Sequence, residues 1–253
     1  MTAGLDPPEP DVIEALPGRS RIKRVGPNVL TLDFVDVTAG GETRQGIYTY
    51  VAGHFVFEKN GMPRNPWDSA VQLHDTLISN TFPDDSGFEA SYRFPISQKV
   101  PSELAIVIER ADLYTITCNG QPVEPAKGAD NWWLDRAFFK VDLSRVAQVG
   151  ENVVTIKASP MTIYHELEAA YVVGDFSLEP TETGFVIVPT KPLGYGDAEH
   201  GWEDQGAPFD ADGVEYTEVF QVPDASDRRY RLQVPVWYGA VALVTVNGKR
   251  AGT

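Results

Sequence analysis

The chain has 253 residues, 42% apolar and 23% charged, a composition that suits an ordinary globular protein of one large β domain or two smaller ones. Acidic residues outnumber basic ones 36 to 21, and the resulting formal charge of −15 opposes nucleic acid and anionic membranes as partners, since both are gripped through Lys/Arg patches. The lone Cys118 excludes an internal disulfide, and no run of eighteen apolar residues is present.

Residues 1–18 are acidic and proline-rich and read as a linker or disordered tail. The densest basic stretch, "GRSRIKR", follows and is short. Strand signals then dominate: "NVLTLDFVDV" (28–37), "FEASYRFPI" (88–96), "ELAIVIER" (103–110), "LYTITCNG" (113–120), "RAFFKVDLS" (136–144), "NVVTIKAS" (152–159) and "AAYVVGDFSL" (169–178). These runs are rich in β-branched and aromatic residues and are separated by Asn-Gly, Pro and Asp turns, so 19–182 is expected to form a first antiparallel β-sandwich. The exception is 47–80, read as a long decorated loop in which "WDSAVQLHDTLI" forms a short helix. Cys118 lies in an apolar run and is expected to be a buried, inert thiol. A junction strand, "GFVIVPT" (184–190), and a loop occupy 183–212; further strands are expected at 214–222, 229–236 and 241–248.

An internal repeat organises the second half. Gly87 and Gly213 each open an alternating strand with Tyr and Phe, then a polar turn with Pro, a second strand, and a third ending in Asn-Gly. The opening glycine and the Asn-Gly glycine are 33 residues apart in the first copy (Gly87, Gly120) and 35 in the second (Gly213, Gly248). Asn-Gly favours the type I′ turn, so each copy is expected to end in a hairpin. The first copy runs on for about sixty residues beyond its Asn-Gly and the second for five. Residues 213–253 are therefore expected to start a second, incomplete β-sandwich, as in a piece of a larger protein.

The motifs "WWLDRAFFKVDL", "GENVVTI", "PMTIYHELEAAYVVGDFSL" and "GWEDQGAPFDADGVEYTEVF", with "WYGAVALVTVNGKRAG" after them, resemble the non-catalytic sugar-binding domains of large bacterial glycoside hydrolases, of the family 2 and rhamnosidase-like types. The resemblance implies galactose-binding-like jelly rolls that bind polysaccharide or oligosaccharide, or buttress the catalytic domain of a parent enzyme. It implies no catalysis by this chain and favours a secreted or periplasmic setting, although no signal peptide is visible.

Sugar recognition needs flat apolar faces plus planar hydrogen-bonding groups. Trp132 and Trp133 are adjacent and in a strand point to opposite faces; Trp132 is taken as the exposed one. Trp202, His200 and Gln205, with Tyr195 nearby, form a second set of candidate contacts, although the resemblance also gives Trp202 and Phe209 a role in plugging the sandwich end. Trp67 either caps the core or lines a groove, and Trp237 packs at a strand start. No catalytic residue is assigned. "YHELEAAY" fails as a zinc motif because Ala169 stands where the second His is required, and four scattered His give no metal spacing. "DADG" (210–213) fails as an EF-hand because Pro208 and Val219 occupy its first and twelfth positions. No cofactor is expected, apart from a structural calcium that "PDDSG" (83–87) would suit. The rival reading is a small glycoside hydrolase or lyase with a working carboxylate pair among 36 acids; a third is a purely structural sandwich.

Overall fold

The computed structural model describes residues 12–68, 78–128, 131–195, 200–210, 212–222, 230–233 and 239–252. Most of the helix expected at 67–78, half of the strand expected at 229–236, and Trp237 lie outside the described residues; the described half, Tyr230, Arg231, Leu232 and Gln233, is not in a strand. The fold is an all-β sandwich, as the strand pattern implies.

Five strands form one sheet in the order β2 (Asn28–Leu32), β12 (Ala170–Gly174), β6 (Leu104–Glu109), β10 (Asp135–Asp142) and β9 (Trp132–Trp133). The larger sheet is built on β5 (Phe88–Ile96), which pairs along its whole length with β11 (Gly150–Ala158), from Phe88 opposite Ala158 to Ile96 opposite Gly150. Beyond β11 lie β7 (Thr115–Cys118) and β8 (Gln121–Val123). On the other edge of β5 lie β3 (Phe34–Ala39) with its hairpin partner β4 (Glu42–Tyr48), and β14 (Gly184–Val188) with β13 (Ser177–Thr181). The 184–188 strand of the expected junction is thus hydrogen-bonded into the first sandwich. The core lies between the sheets, where alternate residues such as Tyr92, Phe94, Ile106, Val141, Val154 and Val172 are almost wholly buried. Cys118 is buried there, and burial pushes its thiol up to about 11, which leaves it un-ionised at neutral pH.

Three local features depart from the sequence reading. The single strand expected at 28–37 is two, β2 and β3, and that expected at 169–178 is also two, β12 and β13; in each case the two belong to different sheets. Part of the expected loop at 47–80 is instead α1 (Thr49–Lys59). Its buried positions include Thr49, Ala52, Gly53 and Val56, a spacing of i, i+3, i+4 and i+7. The period is hidden in the sequence because two of the four are Thr and Gly. Phe55 and Phe57 also enter the core.

Both Asn-Gly turns adopt the backbone that their chemistry favours, with positive φ at Asn119 and Gly120 (51° and 77°) and at Asn247 and Gly248 (50° and 76°). The second joins β16 (Val244–Val246) to β17 (Lys249–Gly252). β15 (Val214–Thr217) pairs with β1 (Arg21–Arg24) near the start of the chain, and an isolated bridge of Ala15 with Phe220 extends that contact.

The two repeat-opening glycines do different work. Gly87 has φ of +143°, and a Cβ there would meet the Ala158 carbonyl oxygen at 2.1 Å; Gly213 has φ of +91° and nothing within 4 Å. Gly87→Ala is therefore expected to cost about 2–4 kcal/mol, from strain plus a backbone clash, and Gly213→Ala about 1 kcal/mol, from strain alone. Urea unfolding of the two variants checks this, and equal losses would contradict it.

Candidate functional site

In antiparallel pairs, residues opposite one another share a face. Thr31, Tyr171, Val107 and Lys140 stand side by side across β2, β12, β6 and β10, and Val29, Val173, Ala105 and Asp142 form the next row. These rows face away from the main core. Val29, Val107 and Val173 form a separate buried cluster, against which Trp133, Phe138, Tyr171 and Phe209 pack half-buried. Trp133 lies 5.5 Å from Tyr171 and Phe138 6.1 Å from Tyr171, ring centre to ring centre. Glu109 stands opposite Phe138.

The aromatic surface continues at the corner where β2 passes into β3. Phe34 and Tyr48 are 60% and 50% exposed, with centroids 5.9 Å apart. Burial raises the Tyr171 hydroxyl above its usual value, and the charges of Asp33, Glu168 and Glu109 add to the effect, with Tyr48 also near. The rings of Trp133 and Phe138 thus meet that of Tyr171, and Asp33, Glu109 and Glu168 lie near enough to act on its hydroxyl electrostatically.

Glu166 and Glu168 are carried by the segment between β11 and β12. Tyr92 Oη donates to the Glu168 carbonyl at 2.5 Å and Tyr114 Oη to the Glu166 carbonyl at 2.8 Å. His165 is buried; its Nδ1 accepts from the Thr162 amide at 2.8 Å, so its Nε2–H donates to the Leu113 carbonyl at 3.0 Å. Burial lowers the His165 pKa, in keeping with this neutral tautomer. The failed zinc motif is thus an anchor for the chain. It presents Glu166, whose carboxyl is pushed up to about 7 by burial and then by the charges of Glu109, Glu168 and Asp68. Glu109 and Glu168 are raised as well, in both cases chiefly by burial. Asp68 is in turn paired with His54, Oδ2 to Nε2 at 2.5 Å.

The six residues singled out from the sequence fall in three places. Trp132, 39% exposed, is on edge strand β9, and its neighbour Trp133 is the one that joins the Tyr171 cluster. Trp67 donates from Nε1 to the Ile163 carbonyl at 2.7 Å and lies 6.2 Å from the Tyr164 ring, beside the anchored segment. Tyr195, His200, Trp202 and Gln205 belong to the segment before β15. There Gln205 Oε1 accepts from Gly194 N at 2.6 Å and its Nε2 donates to the Gly201 carbonyl at 3.1 Å, which clasps the loop. Asn28 fixes that loop to β2 through Nδ2 and the Gly206 carbonyl at 2.7 Å. Trp202 caps the short 3-10 turn Glu203–Gln205, and Tyr195 stacks on Tyr216 at 5.7 Å. Sequence reasoning passed over Phe34, Tyr48, Glu109, Phe138 and Tyr171; their alternation was visible, but only the strand order brings them together. Among the described residues, no group of three or more His, Cys, Asp or Glu is arranged to hold a metal.

No protein-family model matches the chain, and no curated protein matches it. Among solved structures it is similar to an FMN-binding β-glucuronidase from Facaelibacterium prausnitzii L2-6 (TM-score 0.34, 12% identity, 62% of this chain and 26% of that one). It is also similar to a β-glucuronidase from Ruminococcus gnavus (0.32, 16%, 64% and 33%) and to one from an uncultured Clostridium (0.28, 12%, 68% and 33%). The chain spans about a quarter to a third of the length of these enzymes.

The raised Glu166 carboxyl couples stability to pH. The folded state keeps this proton up to about pH 7, and the unfolded chain releases it near 4.5, so stability is lost as pH rises through that window. Glu166→Gln is therefore expected to melt above the parent at pH 8, by about 1–2 kcal/mol or several degrees after allowance for solvent screening, and to match it near pH 4. Calorimetric melts across pH check both ends of the window.

Proposed function

We propose that this chain is a non-catalytic, carbohydrate-binding accessory sandwich, of the galactose-binding-like jelly-roll kind, from a bacterial polysaccharide-degrading enzyme. In this reading its partners are a polysaccharide or oligosaccharide and the catalytic domain of the parent enzyme. The carrying observation is the half-buried aromatic cluster of Trp133, Phe138 and Tyr171, on whose hydroxyl Asp33, Glu109 and Glu168 act electrostatically, together with the exposed ring pair of Phe34 and Tyr48. Rings offer apolar faces to the C–H side of a pyranose, and carboxylates accept from its hydroxyls. The sequence resemblance to sugar-binding domains of glycoside hydrolases supports the same reading.

The rival reading, hydrolysis or lysis by a carboxylate pair, is favoured by one observation: Glu166, held near 7, keeps a proton for a general acid beside other acids. Reducing or unsaturated ends released from a polysaccharide panel, and lost in Glu166→Gln, would establish that reading in place of binding.

Affinity gel electrophoresis on the same panel, followed by calorimetry, tests the binding reading. Retention on at least one glycan is expected. Phe34→Ala and Tyr48→Ala, both at exposed positions, should each weaken it by about fivefold to tenfold, the worth of one lost ring contact. Absence of retention on every glycan would sink the proposal.

A further inference from the structure

The anchored segment between β11 and β12 carries more than its two glutamates. Tyr164, two residues before Glu166, is 42% exposed, and its ring lies 6.2 Å from that of Trp67 at an inclination of 31°. The bond from Trp67 Nε1 to the Ile163 carbonyl fixes the indole against this segment. Asp68, next along the chain, is paired with His54 on α1. The His54 ring in turn lies 4.8 Å from that of Tyr50, one helical turn earlier and 55% exposed. A run of contacts thus leads from Tyr50, through the His54–Asp68 pair and Trp67, to Tyr164.

This second group of rings is joined to the first in two places. Tyr48 and Tyr50 flank buried Thr49, whose amide donates to the Asp33 carbonyl at the corner that carries Phe34. On the other side the acids make the link: Asp68 acts electrostatically on Glu166 and Glu168, and Glu168 acts on Tyr171. Among the described residues, the carboxylates of Glu166 and Glu168 and the hydroxyls of Tyr50 and Tyr164 form no hydrogen bond, and the Asp68 carboxylate bonds to His54 alone. Exposed rings beside free acceptors are the elements of a sugar contact, and here they occur twice, with acids between the two occurrences. A single sugar unit covers one such group; a chain of units can use both.

We infer that Tyr50 and Tyr164, with Trp67 and Asp68, form a second sugar subsite, so that the protein binds an oligosaccharide of several units in preference to a single sugar. The inference rests on the carbohydrate reading and adds to it the length of glycan recognised.

Calorimetric titration of the full chain with size ladders of neutral and uronic oligosaccharides, from disaccharide to hexasaccharide, tests it. The hexasaccharide is expected to bind at least tenfold more tightly than the disaccharide, because a second contact made by a tethered unit adds its worth without a second loss of translational freedom. Tyr50→Ala and Tyr164→Ala, both at exposed positions, should each weaken the hexasaccharide by about fivefold to tenfold. Thermal melts establish that the variants fold, and Tyr164→Ala decides, since Tyr164 stands at the far end of the run from Phe34 and Tyr48. A hexasaccharide bound no more tightly than the disaccharide, or bound unchanged by folded Tyr164→Ala, would overturn the inference and leave the carbohydrate reading standing. Binding of no oligosaccharide of either class would overturn both.

Discussion

The crossing of the chain from one sheet to the other at Asp33 is the constraint on which the sandwich and its outer surface both depend. Before it, Leu30 and Leu32 point into the core; after it, Val35, Val37 and Ala39 do. The alternation slips by one residue at Asp33, and because a strand repeats every two residues, a slip that stayed within one sheet would need a bulge. The chain leaves β2 for β3 instead, and the Asp33 carbonyl accepts from the Thr49 amide at 2.8 Å, which seats the first turn of α1 at the same corner. The crossing places Phe34 outside, 60% exposed, with its ring against Tyr48. One slipped residue thus closes the two-layer architecture and leaves two aromatic rings facing solvent.

The opposite tendency governs the segment 159–169. It carries three ionisable groups within four residues, and the structure holds it by buried donors rather than by apolar packing alone. The hydroxyls of Tyr92 and Tyr114 and the imidazole of His165 bind its backbone and that of Leu113. Glu166 is consequently fixed where its charge is poorly solvated and near other acids, an arrangement that works against stability at neutral pH. Three buried polar side chains spent on presenting acids indicate that the location of these acids matters to the protein more than the stability it costs.

Much of the fold was legible in the sequence, because period-two alternation and turn chemistry are local. The β5, β6, β7, β10, β11 and β12 runs, the two Asn-Gly hairpins and the buried Cys118 all follow from neighbours within a few positions. α1 was hidden by Thr49 and Gly53, whose burial owes more to close packing than to hydropathy: a Cβ on Gly53 would lie 3.5 Å from the Leu167 carbonyl oxygen. The site was less legible for a different reason. The sequence drew attention to tryptophans and to the loop before β15, where residues of suggestive chemistry are close along the chain. The Tyr171 surface draws on β6, β9, β10 and β12, whose adjacency is a property of strand order and carries no local signature. Trp132 and Trp133 show the limit within one dipeptide. Alternation says that they face opposite ways, yet the bulge between Asp135 and Phe139 decides which of them meets Tyr171.

The register that buries the core is also what arranges the outer surface. On β12, Ala170 and Val172 enter the core while Tyr171 and Val173 face out; on β10, Val141 enters while Lys140 and Asp142 face out. A one-residue slip of either strand would carry Tyr171 or Lys140 inward and a valine outward, so the energy that opposes burying a phenol or an ammonium holds the surface in place. Order along the face follows from the same pairing: the row of Glu109 and Phe138 comes first, then Tyr171 and Lys140, then Val173 and Asp142. The succession of rings and charged groups along the face is therefore built into the hydrogen-bonded ladder of the sheet. It needs no loop to hold it, and a surface set in this way is preorganised for an extended ligand that lies across several strands.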